Sequence, residues 1–353
     1  MSMRKIAHNS SDVEDFFSNY CTDERRVLFI GTVGFNDVGN YFAALLARHK
    51  YVDFRFFVEV RPEVPLLLVT AGERNRASLE QVLGGRSVVC ENLDIVTDDI
   101  ATMAGRRAVK IMEGWLSTRY TDVVIDATSM SRGVCFSAAR YAVQFCHQNG
   151  LIPHIVVAER ELNGAQVRSI SSDIACYMHG FQFDMETDTA NNSLKLWVPQ
   201  LSENAGPALE RIFSTLVPDE ICPVLPFPAA TPRRPDDLLF SMRPQLRAWD
   251  TSTLEVIYAH ESDPRDVCAT IERLHHIRQD VFASATKLET RTILSPSGWR
   301  VGSIGMLLAA LELELPVMYT ESIGYTIECA SFPEPNLSPP ECRWHIALFP
   351  PLP

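Results

Sequence analysis

Short apolar runs bounded by turn residues alternate with helix-period segments through the first 160 residues. Arg26–Ile30 (RVLFI) is largely apolar and stops at Gly31, the pattern of a strand buried on both faces. Asn36–Arg48 follows with helical spacing. Pro65–Thr70 (PLLLVT) reads as the next buried strand, broken at Ala71-Gly72 and followed by a helix over Asn75–Leu83. Ser87–Cys90 reads as a short strand and Asp98–Leu116 as a long amphipathic helix. Asp122–Ile125 (DVVI) ends at Asp126, Gly133–His147 is a helix closed by Asn149-Gly150, and Ile152–Ala158 is a further strand. Strands alternating with helices predict a mainly parallel sheet with helices on both faces.

Residues 160–220 break that rhythm. Glu186–Ser193 is polar and turn-rich, LKLWVPQ reads as a strand and Gly206–Leu216 as a helix. From Ile221 the alternation resumes: CPVLPFP, a helix from Pro235, LEVIY, a helix from Pro264, RTILS, a helix from Arg300, and PVMYT. The tail from Phe332 is proline-rich and extended, with a strand at Trp344–Phe349.

The two alternating stretches can be laid on each other in order. The segment from Val27 parallels that from Val224, that from Leu66 parallels that from Val256, and that from Asp122 parallels that from Arg291. In the second pair each apolar run leads to a glutamate with an arginine three or four positions on, Glu73 with Arg76 and Glu261 with Arg265. The expectation is an α/β fold of two Rossmann-like lobes with mainly parallel sheets, related by internal duplication, plus a connector. Its parts are a lead-in (1–25), a first lobe (26–160), a connector or insertion (161–220), a second lobe (221–325) and the proline-rich tail (326–353). Any two strand–helix units resemble each other at this level, so the repeat stands as an expectation only.

Length and composition agree with this division. The chain has 353 residues, 46% hydrophobic and 22% charged, enough for two cores at roughly 150 residues per domain. Its net charge of −12 argues against long duplex nucleic acid and anionic membranes as partners. No apolar run approaches the roughly 20 residues of a spanning helix, and the start lacks a secretory apolar core. Nine scattered cysteines without a CxxC pair read as reduced thiols, so the expected location is cytoplasmic.

The most informative loop is Asp126-Ala-Thr-Ser-Met-Ser-Arg-Gly133. A buried strand delivers an aspartate, then the hydroxyls Thr128, Ser129 and Ser131, then Arg132 and a helix. Free amides and the positive end of the helix dipole suit an anion, and Arg132 suits two-point contact with phosphate. The same residues also suit a plain helix cap on Ser131 or Ser129. Ser295-Pro-Ser-Gly-Trp-Arg300 repeats the design, with Ser295, Ser297 and Arg300 as polar groups and Trp299 placed to stack on a base. Gly31-Thr-Val-Gly-Phe-Asn36 is not a GxGxxG, but its glycines permit close backbone approach, with Thr32 and Asn36 as polar contacts. Arg233 and Arg234 precede a proline-initiated helix and form a further anion clamp.

Catalytic patterns are sparse. No GxSxG, HExxH or GxxxxGK[ST] occurs, and His179, His260, His275 and His276 form no ligand pattern with cysteines or carboxylates, so neither metal nor cofactor is expected. Glu73, Asp126 and Glu261 are the carboxylates available as general bases, without a feature that prefers turnover over binding.

The D-x-T-x-x-S-R run before a long helix resembles the fourth-strand motif of CRISPR-associated Rossmann-fold (CARF) domains, commonly Asp-x-Thr-Gly-Gly-Thr-Lys. GTVGFN after the first strand is similar to their first ligand loop. Here Ser129-Met130 stands for Gly-Gly, Arg132 for the lysine, and the second lobe has Ser-Pro-Ser-Gly-Trp-Arg. The resemblance covers about half the chain. It implies a dimer-forming sensor of nucleotide or cyclic oligonucleotide ligands in prokaryotic defence, with Asp126, Thr128, Ser131 and Arg132 at motif positions and Thr32 and Asn36 opposite. The duplication could supply both halves of a dimer, and signalling would need a separate effector protein. The ligand is expected between the Asp126–Arg132 and Ser295–Arg300 loops. An enzyme acting on a nucleotide or phosphorylated small molecule, and a structural subunit of a defence complex, are the alternatives.

Overall fold

The computed structural model describes residues 3–96, 104–160, 166–182, 193–249, 256–285, 289–329 and 331–351. The chain forms two units, Met1–Ile170 with Ser322–Pro353, and Ser171–Glu321. Both are mixed α/β.

Unit 1 opens with β1 (Arg4–Asn9) and α1 (Ser11–Tyr20). Then come β2 (Val27–Thr32), α2 (Tyr41–Leu46), β3 (Val52–Val60), α3 (Leu66–Leu83), β4 (Val88–Asp94), α4 (Ala104–Trp115), β5 (Asp122–Asp126), α5 (Arg132–Asn149) and β6 (Ile152–Glu159). Its last strand is β14 (Cys342–Phe349). The seven-stranded sheet runs β1-β14-β6-β5-β2-β3-β4. The five inner and far strands are parallel, while β14 and β1 add antiparallel. Strand β2 is buried at all six positions and sits between β3 and β5, which puts its carboxyl end at the middle of the parallel set. Phe29, Phe54 and Phe56 pack with Phe17, Phe42 and Leu79 on one face. Each such side chain contributes about 1.5–3 kcal/mol by leaving water.

β7 (Gln166–Tyr177) and β13 (Met318–Glu328), in which the chain leaves and re-enters unit 1, pair with each other. Unit 2 contains β8 (Ser193–Pro199), α6 (Gly206–Leu216), β9 (Glu220–Ile221), β10 (Val224–Pro226), α7 (Arg234–Ser241), α8 (Arg243–Ala248), β11 (Ile257–Ala259), α9 (Pro264–Ala285), β12 (Glu289–Ser295) and α10 (Arg300–Leu313). Its strands β12-β8-β9 and β10-β11 pair parallel, with parallel single bridges Gln200–Val224 and Leu294–Val317. Trp197, Leu209, Leu225 and Trp249 lie in its core.

Several elements differ from the sequence expectation. PLLLVT is not a strand: it opens α3, which runs unbroken to Leu83 and ends on Gly84 in the left-handed conformation. The buried positions Leu68, Ala71, Asn75, Leu79 and Leu83 form one helical stripe, while Leu66 and Val69 face solvent. The strand that follows β2 is instead Val52–Val60, whose alternation of buried and half-buried positions marks one face on the core. That removes the second of the three proposed correspondences. The first is out of register too: β2 pairs directly with β5, but the partner of β12, the strand matched to β5, is β8 and not β10. The lead-in carries β1 and α1, the connector carries β7, β8 and α6, and the tail supplies β14. Glu186–Ser193 falls almost wholly outside the described residues, as do Asp98–Met103.

Candidate functional site

Loops leaving β2, β3 and β5 meet at the carboxyl edge of the unit 1 sheet, where an open parallel sheet offers its ligand crevice. Strand β5 ends at buried Asp126, whose Oδ1 accepts from Thr128 N at 2.9 Å and bends the chain out of the sheet. Thr128, 0% exposed, accepts at Oγ1 from Ala158 N at 3.0 Å, tying the turn to β6. Helix α5 then starts at Ser131 in extended conformation (φ −63°, ψ 153°), yet the Ser131 side chain makes no capping hydrogen bond. The plain-cap reading of Ser131 is therefore not what the structure has.

The β2 loop lies against this turn. Asn36 Nδ2 donates to Thr128 O at 3.4 Å, and a Cβ on Gly39 would lie 2.4 Å from Ser129 Oγ. Only a glycine allows that approach. Buried Asn75 on α3 holds the loop from below, donating to Gly34 O and Asn36 O at 2.7 Å each, while Asn40 donates to Asn75 O at 2.7 Å.

Three hydroxyls here are buried without a hydrogen-bond partner among the described residues: Thr32 Oγ1, Ser129 Oγ and Ser131 Oγ. Thr32 is only 5% exposed. Buried hydroxyls are normally paired, so unpaired ones clustered on adjoining loops mark a place where a ligand or water completes the bonding. A carboxylate already sits at the α5 terminus, because Glu59 Oε1 accepts from Ser131 N at 2.8 Å. Its other oxygen accepts from Arg61 Nη2 at 2.6 Å, with both side chains buried. Arg61 also donates from Nε to Ser322 O at 2.9 Å and lies over the Tyr325 ring at 5.1 Å. Arg132, half-buried, is the first helical residue. At the rim, Arg160 reaches Asp37 at 3.2 Å, donates to Ser338 O at 2.9 Å and approaches Glu341 at 3.6 Å.

Thus Thr32, Asn36, Asp126, Thr128, Ser129, Ser131 and Arg132 do come together. Glu73 and Arg76 do not join them. Both are exposed on α3, and Arg76 pairs with Glu80 one turn on at 3.3 Å. Their assignment to a strand-end loop fails with the strand itself.

In unit 2 the Ser295–Arg300 loop also joins a parallel strand, β12, to a helix, and Trp299 starts α10 in the same extended conformation (φ −66°, ψ 149°). Its polar groups are used internally. Ser295 Oγ accepts from Trp197 Nε1 at 2.9 Å and donates to Met318 O at 2.8 Å; Ser297 Oγ donates to Gln200 O. Trp299 is 6% exposed and packed against Gly302, so no ring face is presented for base stacking. The organiser is Gln200, wholly buried, whose amide accepts from Gly298 N at 3.0 Å and Ser303 Oγ at 2.9 Å and donates to Trp299 O at 3.0 Å. Arg234 pairs with Glu261, which also accepts from Ala230 N at 2.7 Å. Arg265 is bound to Asp263 at 2.7 Å, and Arg233 is exposed at the start of α7. The proposed double-arginine clamp is therefore one ion-paired and one exposed residue. His275, read as unpatterned, is buried with Nδ1 2.8 Å from Thr292 Oγ1. Among the described residues no group of three or more His, Cys, Asp or Glu is placed to hold a metal ion.

The sequence reading missed Glu59, Arg61, Asp37, Asn75, Arg160 and Gln200. Asn75 alone carried a local mark, its place on the buried stripe of α3. The others act through partners far away in the chain.

No family model matches this sequence, and no curated protein does. Among solved structures, a teicoplanin deacetylase shares 14% identity over 41% of this chain and 77% of that one, with a TM-score of 0.25. The cytoplasmic domain of a prokaryotic cation chloride cotransporter shares 10% identity over 85% of this chain and 98% of its own, at 0.24. UDP-GlcNAc 2-epimerase from Neisseria meningitidis shares 8% identity over 80% and 89%, also at 0.24. Likenesses of this order carry no argument about function, and the chemistry must be read from the site itself.

Proposed function

We propose that unit 1 binds a phosphate-bearing small molecule, a nucleotide or cyclic oligonucleotide, at the carboxyl edge of its parallel sheet. In this reading the protein is a nucleotide sensor of prokaryotic defence acting through a separate effector. The observation that carries the binding reading is the set of unpartnered buried hydroxyls, Thr32 at the end of β2 and Ser129 and Ser131 in the turn leading into the 18-residue helix α5. Hydroxyls donate to phosphate oxygens, and the first turn of a helix has spare amides. The Glu59 carboxylate at Ser131 N is consistent with a turn that accommodates negative charge. The spacing of Asp126, Thr128, Ser131 and Arg132 matches the motif on which the resemblance to CARF domains rests.

Turnover receives less support. Glu73 is exposed on a helix, Glu261 is ion-paired, and Asp126 Oδ1 is occupied by its own turn.

The test is titration calorimetry of the purified protein against mononucleotides and cyclic oligonucleotides. Binding is expected, and Ser129→Ala with Arg132→Ala should weaken it about tenfold or more, since a charge-assisted hydrogen bond contributes about 1.5–3 kcal/mol. Equal affinity in wild type and variant, or no binding across the panel, would overturn the proposal.

A further inference from the structure

The amino edge of the unit 1 sheet holds a second arrangement, separate from the hydroxyl cluster. Strands β1, β14, β6 and β5 set His8, His345, His154 and Asp122 in a row. His8 Nδ1 lies 3.0 Å from His345 Nδ1, His345 Nε2 lies 2.8 Å from His154 Nδ1, and His154 Nε2 lies 3.0 Å from Asp122 Oδ1. His345, His154 and Asp122 are buried, and His8 is half-buried. Phe16 of α1 stacks on His345 at 4.1 Å and on His8 at 4.5 Å.

Each nitrogen pair at this separation needs one N–H and one lone pair. The carboxylate sets the direction. Ionised Asp122 only accepts, so His154 presents Nε2–H to it. Neutral His154 then accepts at Nδ1 from His345 Nε2–H, and His345 accepts at Nδ1 from His8 Nδ1–H. The row ends on the lone pair of His8 Nε2, and every contact is satisfied in one consistent set of tautomers.

The geometry points to a proton-binding site in which this row takes up one proton at His8 Nε2, delivers the charge to His154 beside Asp122, and opens on a second proton. As the proton joins His8 Nε2, the His8 Nδ1 proton moves to His345 Nδ1 and the His345 Nε2 proton moves to His154 Nδ1. Three N–H bonds form and two break, a net gain of one proton. All three tautomers are thereby set, and imidazolium His154 faces a carboxylate. A further proton on His8 Nδ1 or His345 Nε2 would set two N–H groups against each other at 3.0 or 2.8 Å. The edge strand β1, paired with β14, then loses its clasp.

The surroundings bear this out. Asp122 also accepts from Tyr20 at 2.7 Å and from Thr121 Oγ1, with Arg25 at 3.6 Å; Asp12 faces His8; Cys21 and Cys146 face Asp122. Glu14 is taken by Tyr41 and Arg343. Burial, then the neighbouring His154 and His8, holds His345 well below the ordinary imidazole value. Burial likewise lowers His8, against the opposing charge of Asp12.

The experiment is imidazole-nitrogen NMR on the intact protein as pH is lowered. The expected result is reversal of the His8 and His345 tautomers, with double protonation of His154, at one shared midpoint. Below a second midpoint, hydrogen-exchange protection of the Ile6 amide, which faces β14, referred to its intrinsic rate, should fall about tenfold per pH unit, one proton per opening. His345→Phe keeps a ring beneath Phe16 and should leave His8 titrating alone, uncoupled from His154. Should that variant fail to fold, His8→Gln should abolish the tautomer reversal of His345. Three separate midpoints in the wild type, or a His345 tautomer that stays fixed while His8 titrates, would overturn the proposal.

Discussion

Replacing Thr32 with valine separates binding from stability at the hydroxyl cluster. Thr32 ends β2, is 5% exposed, and its Oγ1 has no partner among the described residues. A buried polar group left unpaired costs about 1–3 kcal/mol, and an apolar group of the same shape removes that cost. Both residues are β-branched, so the strand backbone is indifferent to the change. Thr32→Val should therefore stabilise the ligand-free protein by about 1 kcal/mol, taking the lower end of that range because a water can share the site. That corresponds to a rise in Tm of about 2–4 °C for a body of unit 1's size. Scanning calorimetry without ligand, and urea titration with an unchanged m-value, measure this. Nucleotide affinity should move the opposite way, about tenfold weaker. Such an exchange of stability for binding is expected where a site is built to meet a ligand. A destabilisation of about 1 kcal/mol or more in the ligand-free protein would show that the hydroxyl is already paired, and the argument from unpaired groups would fail.

Asn75→Ala should release the Gly34 carbonyl and take one of two donors from the Asn36 carbonyl, lower stability by about 1–3 kcal/mol in denaturant titration, and weaken nucleotide binding through the loosened loop. Gln200→Leu should cost about 1–3 kcal/mol by removing the acceptor that Gly298 N and Ser303 Oγ share and one donor to Trp299 O, as read by thermal unfolding, while leaving unit 1's nucleotide affinity unchanged. Stability should also fall on acidification, starting near about pH 6.5. His345 is depressed in the folded protein, so the unfolded chain takes up its proton first and folding loses ground as pH drops below the unfolded value. Burial pushes the Asp122 carboxyl up, but its hydrogen bond to His154, aided by Thr121 and Tyr20, outweighs this and holds it below the usual range. Its contribution is present above about pH 4 and is lost as pH falls through the folded value; His154→Phe should remove much of that acid limb in urea titrations run by pH.

The β5 turn was legible from the sequence because its determinants are local. An all-apolar run ending in aspartate, three hydroxyls, an arginine and a helix stopped by Gly150 at φ 71° lie within thirty residues. The same holds for α6, α9 and α10, whose spacing alone places them. PLLLVT shows where locality ends. An unbroken run from Pro65 to Val69 has no period, and the docking of Leu68 and Ala71 against Phe332 and their neighbours, far along the chain, favours helix over strand. The Ser295–Arg300 loop makes the complementary point. Its composition repeats the first loop, yet Gln200 and Trp197 consume its hydroxyls, so like sequences end with unlike chemistry. By itself the sequence determined an α/β chain with a mostly parallel sheet and one polar turn before a long helix. Tertiary structure decided which hydroxyls remain unpaired, and it assembled the row of residues 8, 345, 154 and 122. Both depend on strand order, and hydrogen bonds between residues hundreds of positions apart leave no periodicity behind.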